Sequence, residues 1–162
     1  MDSPKENLAA RLDKIQPVSG IRAIAPSAPA QGATLESASE LAAQNSLDHK
    51  EALAFEQAGW KFARTEAKTD GSNVVVDDDG RLKIVSDALN VKFDPAVSRS
   101  DVESILKEHG LSVRRDLKFS PNLFTVSGVG GDAVEKAKSL NTLDKVLYAE
   151  PVLIEALGQR GR

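Results

Sequence analysis

His49 and His109 are the only imidazoles among the 162 residues, and there is no cysteine, so thiolate nucleophiles and disulfides are excluded. His109 precedes Gly110 at the end of a helical pattern, where a cationic imidazole suits the helix dipole; His49 lies inside another helical pattern. No Gly-x-Ser-x-Gly elbow occurs. Gly128-Val-Gly-Gly131 lacks the Gly-Lys-Ser/Thr of a phosphate loop and leads into an acidic residue, Asp132. Asp77, Asp78 and Asp79 lack the spaced ligands and terminal Glu of a calcium loop, which makes a solvated turn the expectation. No other His/carboxylate grouping has metal-ligand spacing. The sequence therefore predicts no catalytic residue, no metal and no cofactor: the chain reads as a non-enzyme. Two carboxylates stand out instead as candidate contact groups, Asp116 at a strand end and Glu150 beside Pro151.

The formal charge of -3, with signs interspersed, gives no electrostatic footprint for nucleic acid. A sheet that stacks RNA bases needs exposed aromatics, and the central strands offer Phe124 at most. No apolar run approaches the roughly 18 residues of a spanning helix, and no basic amphipathic helix suggests a membrane surface. These features predict a chain that binds neither nucleic acid nor membrane and is a monomer when free. Met1 to Gly20 has no apolar core of a secretory signal. The expected location is cytoplasmic if the chain is complete, and secreted with its partner if it is a fragment.

Residues 1–33 read as a disordered N-terminal tail, with a short helix or a frayed end over 4–15 and a linker from Pro26 to Gly32. Residues 34–86 form an extension. Its first part, 34–58, has the helical spacing of Leu35, Ala38, Leu41 and Ala42, is interrupted near Asn45-Ser46 with Ser46 as a cap, and ends at Gly59. A strand from Trp60 to Thr65 follows. Asn73–Asp77 and Arg81–Val85 then make a hairpin about Asp79-Gly80, with a two-residue or a wider turn.

From Leu89 the pattern is regular. Leu89, Val91 and Phe93 alternate with Asn90, Lys92 and Asp94, as in a half-buried strand. Ser98 and Ser100 are alternative caps for a helix carrying Val102, Ile105 and Leu106, with Gly110 as its C′ residue. Leu111 to Leu117 and Leu123 to Ser127 are strands about a Ser120-Pro121-Asn122 turn. Asp132 opens a helix with Val134, Ala137 and Leu140, and Val146 to Ile154 is the last strand. The fold class is α+β: a ferredoxin-like β-α-β-β-α-β antiparallel sheet over residues 87–156, with two helices on one face and the other face open. Residues 157–162 are a flexible C-terminal tail.

Three local words on this pattern carry a resemblance: LNVKFDPAVS over Leu89–Ser98, EHGL over Glu108–Leu111 and VLYAEP over Val146–Pro151. In order and spacing they resemble the pro-domain of subtilisin-type serine proteases, over roughly residues 87–156. The resemblance implies a partner, a subtilisin-type serine protease bound in cis or in trans. It implies a role as inhibitor and folding chaperone, with the open sheet face on the catalytic domain and the C-terminal tail lying product-like in the active-site cleft. The residues it puts in contact are Asp116, Glu150, Leu153, Ile154, Glu155, Ala156 and Leu157. The chain carries no triad motif of a catalytic domain, so it reads as a detached pro-domain or a stand-alone inhibitor. The alternative is a ferredoxin-like protein-interaction or regulatory domain without protease inhibition.

Overall fold

A computed structural model describes residues 4–26, 34–45, 47–64, 72–128 and 133–155. In chain order the elements are α1 (Pro4–Asp13), β1 (Gln16–Ile24), β2 (Thr34–Glu36), α2 (Ala38–Asn45), α3 (His49–Gln57), β3 (Lys61–Arg64), β4 (Ser72–Val76), β5 (Leu82–Phe93), α4 (Arg99–Glu108), β6 (Ser112–Asp116), β7 (Leu123–Ser127), α5 (Ala133–Leu140) and β8 (Val146–Glu155). The chain divides into two compact units. The N-terminal unit holds residues 14–85 and 153–162, and the C-terminal unit holds residues 1–13 and 86–152. None of the described helices is long and apolar enough to cross a membrane.

Within the N-terminal unit the strands pair in the order β2-β3-β1-β4-β5, antiparallel at each step. Ile21, Leu41, Ala52, Phe55, Phe62, Val74, Leu82 and Ile84 form its core. Phe55 stands edge-on to Trp60 and Phe62, with ring centroids 6.3 and 6.4 Å away. Glu51 of α3 fastens the start of β5 to the helix: its carboxylate accepts Arg81 Nε at 2.5 Å and the Leu82 amide at 3.0 Å.

Several expectations for this region are corrected. Residues 16–24 are not part of a disordered tail; they form β1, a strand flanked by β3 and β4. Its alternation is broken by a register shift between Pro17 and Arg22, with Gly20 at φ +78° inside it, which hides the strand from the sequence pattern. Leu35 belongs to β2, and α2 starts after Ser37, whose hydroxyl accepts the Glu40 amide at 3.1 Å. Asp48 caps α3, accepting the amides of Lys50 and Glu51 at 2.8 and 3.1 Å; the residue expected to do so, Ser46, lies outside the described residues, as does most of the Pro26–Gly32 linker.

In the C-terminal unit β5, β7 and β6 pair antiparallel and β8 pairs β5. With α4 joining β5 to β6 and α5 joining β7 to β8, this α+β arrangement is consistent with the ferredoxin-like fold. Leu89, Val91, Phe93, Val102, Leu106, Phe124, Val126, Ala137 and Leu140 are buried. Of the three apolar residues expected on one face of α4, Val102 and Leu106 are buried and Ile105 is only half-buried. Ser98, not Ser100, caps α4 by accepting the Asp101 amide at 3.2 Å. The helix closes on Gly110 at φ +74°, with Leu111 N donating to Leu106 O at 2.8 Å and Gly110 N to Lys107 O at 3.0 Å, a Schellman ending. Of the two readings for 4–15, a short helix or a frayed end, the structure has the helix: residues 4–13 are α1, with Leu8 and Leu12 buried and Asp13 3.5 Å from Lys138 of α5. The strand expected to begin at Leu89 is the second half of β5, which runs without a break from Leu82.

Candidate interaction surface

Alternation along β5 sends Leu89, Val91 and Phe93 to the core, so Asn90 and Lys92 face the other way. The register extends that second face: Asn90 lies opposite Thr125, Lys92 opposite Leu123, and Arg115 opposite Thr125 on its far side. Thr125 Oγ1 donates to Asn90 Oδ1 at 2.7 Å. Lys92 Nζ donates to Ser120 Oγ at 2.6 Å and to Pro121 O at 2.5 Å, which ties the β6–β7 turn to this face. Asn122, at φ +55°, braces the same turn by donating to Asp94 O and Val97 O at 3.0 and 2.9 Å. The result is a half-buried sheet face, polar except for the buried Leu123, beside a hydrogen-bonded turn that carries Phe119, whose exposure of 83 % is the largest among the exposed large apolar side chains. The core strands alone could have signalled Asn90, Lys92 and Thr125; nothing in the local sequence signals that Phe119 is exposed.

The candidate contact residues occupy different surroundings. Asp116 lies opposite Phe124, on the face that α4 covers; Arg99 sits 5.0 Å above the Phe124 ring and 3.7 Å from the Asp116 carboxylate. Glu150 follows Ala149, which is fully buried, and so points to the opposite side of β8, together with Tyr148. Burial raises the Tyr148 pKa above its ordinary value, and the Glu150 charge raises it further. Leu153 and Ile154 lie in the last strand, as expected, and β8 runs one residue further, through Glu155. Ile154 packs against the N-terminal unit's core, and Glu155 lies 3.7 Å from Lys83. Ala156 and Leu157 lie outside the described residues.

The expected solvated turn at Asp77–Asp79 is instead built around a buried carboxylate. Asp77 Oδ1 accepts the amides of Asp79 and Arg81, each at 2.9 Å, and Oδ2 accepts Lys83 Nζ at 2.8 Å. Burial pushes the Asp77 pKa up, but the hydrogen bonds from Lys83 and the two amides outweigh it and hold the pKa below the usual aspartate value. The turn is the wider one, three residues with Gly80 at φ +79°. His49 is the first residue of α3 and His109 the cap residue of α4.

One side chain completes both backbone groups of Ala149 in β8. Asn141 donates from Nδ2 to Ala149 O at 2.9 Å and accepts the Ala149 amide on Oδ1 at 2.7 Å. Between α4 and β6 runs a groove of about 420 Å³ lined by Leu106, Leu111 and Val113 with Arg99, Glu103 and Lys107 at its rim.

The family model of the fervidolysin N-terminal prodomain matches residues 70–151, half of the chain. No curated protein and no solved structure matches it.

Proposed function

From the chain's membership of the fervidolysin N-terminal prodomain family, the propeptides of subtilisin-type proteases, we propose that it inhibits such a protease and templates its folding. The family match carries this reading: it runs from the β4–β5 hairpin through the Ala149-Glu150-Pro151 word of β8. Association with a subtilisin-like protease follows from the family. In the proposed complex the face of Asn90, Lys92, Thr125 and Arg115 meets the catalytic domain. A half-polar sheet face with its hydrogen bonds already internally satisfied is suited to a separable interface, because it costs little to leave in water. Glu150 supplies a carboxylate for a positive helix end on the protease. Asp116 has the smaller part, since Arg99 partly neutralises it. Leu153 to Glu155 lead the chain towards the cleft, and Ala156 and Leu157 enter it as an added strand with side chains in apolar pockets.

The test is a panel of subtilases assayed with the purified chain. The expected result is competitive 1:1 inhibition, and faster recovery of activity when the denatured catalytic domain is refolded with the chain. Removing residues 156–162 should weaken inhibition by about 100-fold or more, because the tail's engagement is intramolecular once the sheet face is bound. Absence of inhibition across the panel would overturn the inhibitor reading.

A further inference from the structure

The last two residues of β8 are held from two sides inside the N-terminal unit. Ile154 packs on the core formed by α2, α3 and their sheet. Its neighbour Glu155 points the other way and meets Lys83 at 3.7 Å. Lys83 is itself immobilised. Its side chain is 13 % exposed and its ammonium binds Asp77 Oδ2 at 2.8 Å. Asp77 cannot turn away, because its other oxygen holds two turn amides. Arg81, on the same turn, adds a second positive charge acting on Glu155. The hairpin thus presents a fixed cation at the point where the chain leaves β8.

We propose that Lys83 is a positioning residue for the inhibitory tail: through Glu155, and together with the seat of Ile154 on the core, it sets where and in which direction the residues after Glu155 leave the fold. This rests on the inhibitor reading above and gives residues 14–85 a part in it. They would hold the strand end that delivers the tail, so that Leu153 to Glu155 do not have to be ordered when the protease binds. Pre-ordering of this kind raises affinity by removing an entropic cost from the binding step.

The test compares Lys83→Met, Lys83→Arg and Ile154→Ala in the full chain and in a chain ending at Glu155. Trp60, the only tryptophan, reports whether the N-terminal unit stays folded. In the full chain Lys83→Met should weaken inhibition about 2- to 5-fold, the range for a partly exposed ion pair, with Lys83→Arg restoring most of it. Ile154→Ala should weaken it about tenfold, for loss of a half-buried aliphatic contact. In the shortened chain both losses should vanish, since there is no tail left to position. Amide exchange at Leu153 to Glu155 should rise in the free Lys83→Met chain. Equal losses in both chains would mean direct contact with the protease and would overturn the proposal, as would inhibition unchanged by Lys83→Met. If the unaltered chain inhibits nothing, the parent reading fails, and exchange decides the positioning claim alone: unchanged protection at Leu153 to Glu155 in Lys83→Met refutes it. Should Lys83→Met perturb Trp60, the charge-free pair Lys83→Met with Asp77→Asn replaces it, with the same outcomes.

Discussion

Asn141 is half-buried and touches the one residue of β8 that has no exposed surface, Ala149. Its amide completes both backbone groups of Ala149, at 2.9 and 2.7 Å. Asn141→Ala removes both partners at once and leaves a donor and an acceptor against a buried side chain. An orphaned buried polar group costs about 1–3 kcal/mol, so full exclusion of water would give about 2–6 kcal/mol. The half-buried setting of Asn141 lets water reach part of the vacated space, which puts the expected loss near the lower end, about 2–3 kcal/mol. In urea denaturation followed by far-UV circular dichroism the midpoint should fall, while the Trp60 transition, which belongs to the other unit, should move less. Amide exchange of Ala149 should rise by the factor that matches the lost stability, about tenfold for every 1.4 kcal/mol. Asn141→Asp keeps the acceptor for the Ala149 amide and loses the donor, so it should fall between the two. A loss under about 0.5 kcal/mol, the usual range of a surface change, with Ala149 still protected, would show that β8 is held by its pairing with β5 and not by Asn141.

The Asp77 pKa is depressed in the folded chain, so its contribution to stability is complete above the ordinary aspartate pKa and is lost as pH falls through the lower folded value. Asp77→Asn should therefore destabilise by about 1–3 kcal/mol at neutral pH, and the gap to the unaltered chain should close on acidification below the ordinary value; a gap constant with pH, in paired melts, would count against the hydrogen-bond account. Gly128 sits at φ +109°, and a Cβ there would lie 2.6 Å from Gly110 O, whereas Gly80 at φ +79° faces open space. Gly80→Ala should cost about 1–2 kcal/mol for the left-handed backbone alone, and Gly128→Ala measurably more in the same denaturation assay; equal costs would mean that the backbone at Gly110 yields freely.

Local chemistry made much of the C-terminal unit legible. Gly110 and the Leu106–Leu111 spacing announce the end of α4, and Asp79-Gly80 announces the β4–β5 hairpin. Phe124 and Val126 announce the buried side of β7. What stayed hidden depended on partners distant in sequence. β1 contains Pro17 and Gly20, both poor strand formers, and is held by pairing with β3 and β4 on its two sides. Propensity counts the two residues and not the pairing. Leu35 fits a helical period with Ala38 and Leu41, yet Ser37 between them caps α2 and forces the preceding residues into an extended strand. Ser86-Asp87 interrupts the apolar run of β5, so one twelve-residue strand reads as two short ones. For the candidate surface the alternation of Asn90 and Lys92 was visible, but not the seat of Ile154 or the Lys83–Glu155 pair, both made across long stretches of chain.

The Ala149-Glu150-Pro151 word on which the resemblance partly rested separates into two kinds of requirement. Ala149 has no exposed surface and its backbone is bound on both sides of the peptide unit by Asn141, so a larger side chain would have to displace core atoms. Pro151 lacks an amide hydrogen and is tolerable only where a strand needs no donor there. Packing and backbone hydrogen bonding are therefore enough to account for these two, and a family that kept them would be keeping a fold. Glu150 is different. It is half-buried, lies on the side of β8 away from Ala149, and has no ion-pair partner among the described residues; beside burial, its charge adds to the rise of the Tyr148 pKa. Asp116, already paired with Arg99, offers a partner a charge that is half spent. Of the two carboxylates the sequence singled out, Glu150 is the one left without an ion pair among the described residues, and the proposed protease contact would give it a positively polarised partner from outside the chain.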